Sequence, residues 1–114
     1  MDLSDNQKAC CDHYSADLTP PKQEQLVVIS EGVLVGSHEI EGVRYPSPDH
    51  MSGWWLTTDL YNGDVNSLKT VHFSHVAEAQ PDIAQYMALP FGYRFILGGQ
   101  SEHVWFDREA AENV

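Results

Sequence analysis

The side chains best equipped for chemistry are six histidines and a surplus of carboxylates, and their spacing decides what they can do. His72 and His75 are the closest histidine pair. A zinc site would add His50, His103 or an acid such as Asp59, because zinc is held by nitrogen, sulfur and oxygen ligands in a closed set. Two ligands on one helical face need a spacing of three or four within a helix. Here His72 falls in a stretch that reads as a strand, and His75 opens the turn after it. No second close pair of histidines or cysteines completes a site, so the spacing favours surface or network histidines. Asp59, Asp64, Glu39 and Glu41 could supply a general acid and base. With seventeen acids in the chain, however, carboxylates meet by chance, and no apolar neighbourhood singles out one pair. Asp59 is expected instead to accept hydrogen bonds from the loop 59–66.

Other reactive patterns are missing. There is no Gly-x-Ser-x-Gly elbow. Cys10 and Cys11 are adjacent, which fits neither a disulfide framework nor a zinc spacing. Both are expected to be reduced on one helix, with one of them partly buried. Gly98-Gly99 lies between strands rather than ahead of a helix, so no phosphate loop and no cofactor are implied. What is left is aromatic: Trp55, Tyr61, Tyr45 and Trp105 belong to the types that dominate protein-binding hot spots.

The element that positions these groups is Ser52-Gly53-Trp54-Trp55-Leu56-Thr57-Thr58-Asp59. Aromatic and β-branched residues suit a pleated, half-buried strand. Alternation puts Trp54, Leu56 and Thr58 on one face and Trp55, Thr57 and Asp59 on the other. Leu56 marks the first face as the core and Asp59 the second as the outside, so Trp54 and Trp55 are expected to part company.

The other elements are arranged around that strand. Residues 4–16 form a helix, with Ser4 and Gln7 as a capping box and a thin stripe of cysteine, Tyr14 and Leu18 facing the edge of the sheet. Pro20-Pro21 ends it. Leu26–Ser30 is a buried strand, and Val33–Val35 continues in extended form. Residues 36–45 form a hairpin or irregular strand, and Pro46–His50 a loop. Asn62-Gly63-Asp64 is a turn. Leu68–Phe73 is a strand. Pro81 stands at the first position of a helix, with Ile83, Tyr86, Met87 and Leu89 inward and an end before Pro90. Gly92–Leu97 and His103–Phe106 are strands joined through 98–101, and the tail from Asp107 is a helical turn or frays. The fold class expected is therefore α+β: one domain, an antiparallel or mixed sheet of about five to six strands, an N-terminal helix, and a short helix near 75–88.

The totals narrow the partners. The chain has 114 residues, enough for one core without metal or disulfide support. Its formal charge is -11. That opposes nucleic acid and anionic membrane as partners and suits a basic protein, which an acidic field steers and selects. No apolar run approaches the ~20 residues of a membrane span. The acidic stretch Met1-Asp2-Leu3-Ser4-Asp5 lacks the apolar core of a signal peptide, so a cytoplasmic location is expected.

Ser30–Gly36, Ser52-Gly53-Trp54-Trp55 with Thr57–Asp59, Leu68–His72, and Pro81–Phe95 come in the order of an immunity-protein domain. Over residues 26–96 the chain resembles the immunity family thirty-three and its relatives (Imm33-like), proposed antitoxins of bacterial polymorphic toxin systems. The resemblance implies a toxin-neutralising protein that binds a cognate toxin and blocks it by occlusion, not an enzyme, and it carries over no catalytic residues. The chain is expected to divide into a helix and connection at 1–25, an immunity-like core at 26–106 and a charged tail at 107–114. The expected contact rim is Glu39, Glu41, Trp55, Asp59, Tyr61 and Asp64. The competing readings are a small metal-dependent or acid/base enzyme using His72, His75 and a carboxylate, and a generic interaction domain. A second copy of the chain is a further candidate partner at an exposed sheet edge.

Overall fold

A computed structural model describes residues 2–36, 38–99 and 102–112. Six strands make one mixed sheet: β1 (Leu26–Ile29), β2 (Ile40–Arg44), β3 (Met51–Thr58), β4 (Lys69–His72), β5 (Tyr93–Leu97) and β6 (His103–Phe106). Their order across the sheet is β4-β1-β3-β2-β5-β6. Strands β1 and β3 are parallel and every other neighbouring pair is antiparallel. The fold is a single α+β domain, as the alternation of elements implies.

The helices α1 (Leu3–His13), α2 (Phe73–Ala79) and α3 (Pro81–Ala84) supply Cys11, Phe73, Val76, Ile83 and Ala84 to a core shared with Val27, Ile29, Ile40, Trp54, Leu56 and Phe95. These sheet residues all point to one face. Trp54 and Phe95 are fully buried there, their rings 5.1 Å apart; burial of each such side chain is worth ~1.5–3 kcal/mol. The indole N–H of Trp54 donates to the Met87 carbonyl at 2.8 Å, so the tryptophan also fixes the turn after α3. Gly42 has a packing reason: a Cβ there would enter the Phe95 ring from the neighbouring strand.

Several expectations need correction. The first helix is capped by Asp2, whose carboxylate accepts from the Asp5 N–H at 3.0 Å, rather than by a Ser4–Gln7 box. Gln7 is buried and donates to the Ala84 carbonyl, tying α1 to α3. Residues Val33–Val35 are not extended. Gly32 takes a left-handed φ of 91°, and the N–H groups of Val33 and Val35 close turns onto Ser30 and Gly32. The helix expected near 75–88 is two pieces. Phe73 opens α2, and Gln80 breaks the run with φ -137° and ψ 67° because Pro81 drives the residue before it out of the helical region. Pro81 does begin α3, with Asp82 in its first turn. The tail forms α4 (Arg108–Ala111), capped by Asp107. Residues 100 and 101 of the expected 98–101 connection lie outside the described residues. Among the described residues, no helix is long and apolar enough to cross a membrane.

Candidate functional site

The sheet has two unlike faces. One carries α1, α2 and α3. The other is the outer face, whose residues strand alternation and register define. Across its middle runs the row Thr70, Val28, Trp55, Val43, Arg94, Trp105, and beside it Thr57, Glu41, Ile96, His103. Among the described residues, no helix crosses this middle, and α4 closes a corner where Asp107 and Ala110 meet Tyr45 and Arg94. Trp55 is 38 % exposed and Trp105 39 %. An indole on a solvent-facing sheet is a hot-spot type held on a rigid element.

The local sequence explains why Trp55 faces out. Gly53 sits at φ 89°, inside a β-bulge that shifts the β1–β3 register between Leu26 and Val28. Tyr45 donates its N–H to the Gly53 carbonyl at 2.9 Å, which brings the β2 end beside Trp55. The two rings meet edge to face with centroids 6.3 Å apart. With Pro46, Pro48 and Met51 they line an open groove of about 510 Å³.

Behind the groove lies a buried cation. Arg44 is 2 % exposed. Its guanidinium donates to the carbonyls of Ser52 (2.9 Å), Thr19 (2.6 Å) and Leu89 (2.8 Å), with Met87 at 3.4 Å. It also lies over the Phe91 and Trp54 rings at 4.6 and 5.7 Å. Burial pushes Arg44 down to about 10, still well above neutral pH, so the carbonyls receive a charged donor. Sequence reasoning passed over this residue. The signal was present: Ile40, Gly42 and Arg44 share the parity of the core face.

The six rim residues do not form one patch. Trp55 and Glu41 share the outer face as diagonal neighbours, Val43 standing opposite Trp55 and Glu41 opposite Thr57. Glu39 precedes β2, its carboxylate against Gly99. Asp59 follows β3 and pairs with His38 Nδ1 at 2.9 Å. It does not organise the 59–66 loop as expected. That work falls to Asn62, which accepts from the Asp64 N–H, and to Asp64, which accepts from the Asn66 N–H and so caps a short 3-10 helix at Val65–Ser67. Tyr61 turns to the helix-bearing side of β1 and β4, lining a cleft with Ile29, Leu34, Lys69 and Val71. The rim thus divides: two residues on the outer face, Glu39 and Asp59 at the Thr58 end of the sheet, and Tyr61 and Asp64 further along toward β4.

Charge is distributed in a way that totals do not reveal. Three of the six basic residues are paired within the chain: Lys8 with Asp12 at 2.9 Å, Arg94 with Asp107 at 3.0 Å and Arg108 with Glu112 at 3.0 Å. The Asp107 carboxyl is held below its ordinary range, first by the Arg94 hydrogen bond. Arg44 is buried, so among the described residues Lys22 and Lys69 are the basic side chains left to offset the surface acids. His72 and His75 are exposed with ring centroids 5.7 Å apart. Among the described residues, no three of His, Cys, Asp and Glu form a group that could hold a metal ion. Cys11 is buried and Cys10 half-buried, both as free thiols; burial, with the neighbouring Cys11 and Glu102, pushes Cys10 up to about 12. A thiol so shifted stays protonated and is a poor nucleophile at neutral pH.

Fold and surface together define a small α+β domain with a mixed six-stranded sheet, helices packed on one face and an aromatic face left open on the other. The chain belongs to the Imm33-like family: the Imm33-like domain matches residues 6–107. The match takes in most of α1 as well as the 26–96 stretch that carries the resemblance in the sequence. No curated protein and no solved structure matches the chain. An Imm33-like domain points to an immunity protein of toxin systems, and this family suggests a protein that is not an enzyme.

Proposed function

We propose that the chain is an immunity protein that binds a cognate bacterial toxin in the cytoplasm and silences it by covering its active site. The observation that carries this reading is the Imm33-like match over nearly the whole chain. The surface supports it. An exposed tryptophan on a rigid sheet provides an anchor, and the scarcity of uncompensated cations leaves a negative field suited to a basic partner. The proposed contact surface centres on Trp55 and Glu41 on the outer face and reaches Glu39 and Asp59 at the Thr58 end of the sheet, with Tyr61 and Asp64 forming a separate point of contact toward β4. The outer strands β4 and β6 also leave edges along which a second copy could pair.

The test begins with the product of a toxin-like gene beside this one. The purified chain is expected to capture that product, and co-expression of the chain is expected to protect cells that express it. Asp59→Lys combined with Asp64→Lys is expected to slow association about tenfold at low salt and to flatten its salt dependence, as loss of electrostatic steering does. Stopped-flow rates unchanged by the double reversal would remove those two residues from the contact surface. No capture of the neighbour's product at all would remove the immunity reading.

A further inference from the structure

We propose that the outer face receives an arginine-bearing segment of the protein partner, its guanidinium lying over the Trp55 indole and against the Glu41 carboxylate. This rests on the reading that the chain binds a basic protein, and it names the chemistry by which that protein is held. The chain has three tryptophans. Two already carry an arginine of the chain itself: Arg44 stands 5.7 Å from the Trp54 ring and Arg94 5.8 Å from Trp105. In the second case a carboxylate completes the arrangement, Asp107 accepting from Arg94 at 3.0 Å. Among the described residues, no cation of the chain lies over Trp55.

Trp55 and Glu41 reproduce the aromatic and acidic parts of that arrangement on the same face. They are diagonal cross-strand neighbours, a spacing of roughly 7–8 Å with the Cβ atoms somewhat closer. A guanidinium within about 6 Å of the indole centroid can therefore also reach the carboxylate. Tyr45 holds the indole from one edge, and Pro46, Pro48 and Met51 give the groove apolar walls for the aliphatic stem of an arginine. Charge selects this occupant over the others. A second copy of the chain would bring another -11 against the same face, and an uncharged apolar segment would bury Glu41 without a counter-ion. Arginine suits the site better than lysine because its planar group stacks on a ring while donating to a carboxylate.

The inference is tested on the full ¹⁵N-labelled chain, titrated with an acetylated, amidated pentapeptide carrying two arginines, and with its lysine and citrulline versions. Saturable shifts of the Trp55 indole N–H and the Glu41 amide are expected with the arginine peptide, weaker ones with lysine and none with citrulline. Trp55→Leu and Glu41→Gln, each at an exposed position and each checked for fold by circular dichroism, are expected to weaken binding about tenfold. Shifts centred on Glu39 and Asp59 with Trp55 unmoved would overturn the proposal. So would equal binding of the citrulline peptide, which would mark an apolar occupant. Sedimentation showing a dimer that Trp55→Leu dissolves would also overturn it, by assigning the face to a second copy. Failure of the peptides while the chain still captures its toxin counts against this inference alone. Peptide binding at Trp55 by a chain that captures no toxin counts against the immunity reading alone.

Discussion

Arg44→Met is expected to destabilise the chain by about 3–5 kcal/mol, a large share of the ~5–15 kcal/mol that holds a domain of this kind together. The reason lies in what the guanidinium serves. Its acceptors at Ser52, Thr19 and Leu89 are backbone carbonyls from three separate segments: the start of β3, the connection after α1, and the turn before β5. A buried ion pair can often be replaced by apolar side chains with little loss, because both partners can be removed together. That escape is closed here, since a side-chain substitution leaves the carbonyls in place. Each orphaned acceptor costs ~1–3 kcal/mol, less whatever water recovers. Lost packing over Phe91 and Trp54 adds to the effect. Urea melts are the check, with an unchanged slope expected. A loss below about 1 kcal/mol would show that water reaches those carbonyls and that the cation is not the staple described. Arg44→Lys is expected to fall between, keeping the charge but losing the fork that reaches several acceptors.

The second large effect is expected at Gly53. A Cβ there would collide with the Tyr45 carbonyl oxygen, a backbone atom that cannot turn aside. The residue's φ of 89° adds a further strain of ~1–2 kcal/mol for any L side chain, and the collision ~1–3 kcal/mol more. Gly53→Ala is thus expected to cost about 2–5 kcal/mol, summing those terms. Gly63 provides the control, because it has the same φ of 89° with nothing within 4 Å of its Cβ position. Gly63→Ala is expected to lose only ~1–2 kcal/mol. The difference between the two variants in thermal or urea unfolding isolates the close approach of β2 to β3. Equal losses would mean that the bulge yields. The change matters for function because the bulge sets where Tyr45 meets Trp55.

How far the sequence reached can be judged from particular residues. The strand at Trp54 and Trp55 was legible because alternation with Leu56 and Thr58 leaves one consistent parity, and the buried Trp54 and exposed Trp55 obey it. Strand existence was legible at β1, β4, β5 and β6 from apolar or alternating runs. The start of α2 was not, because Phe73 also continues the alternation of Val71, and only its spacing to Val76 favours a helix. Arg44 was missed because a charge is ordinarily assigned to solvent; its parity with Ile40 pointed inward, but carbonyls from three distant segments cannot be read from a local pattern. The candidate surface was legible in part. Glu41 and Trp55 come together through an antiparallel register that the chain's order does not display. Tyr61 and Asp64 lie past the turn after β3, and nothing local says to which side of the sheet that loop swings. The Tyr45–Trp55 groove likewise depends on the bulge, which Gly53 marks without specifying where the two rings meet.

The proposed mode of action is one acidic domain lying across one toxin molecule. The decisive measurement takes a fixed amount of the product of a toxin-like neighbouring gene, titrates it with the chain and follows that product's activity. Inhibition is expected to reach completion at one chain per toxin, to be independent of incubation time once bound, and to reverse when high salt separates the pair. Loss of toxin activity at a small fraction of an equivalent, deepening with time and persisting after separation, would show a chemical modification instead and contradict the account.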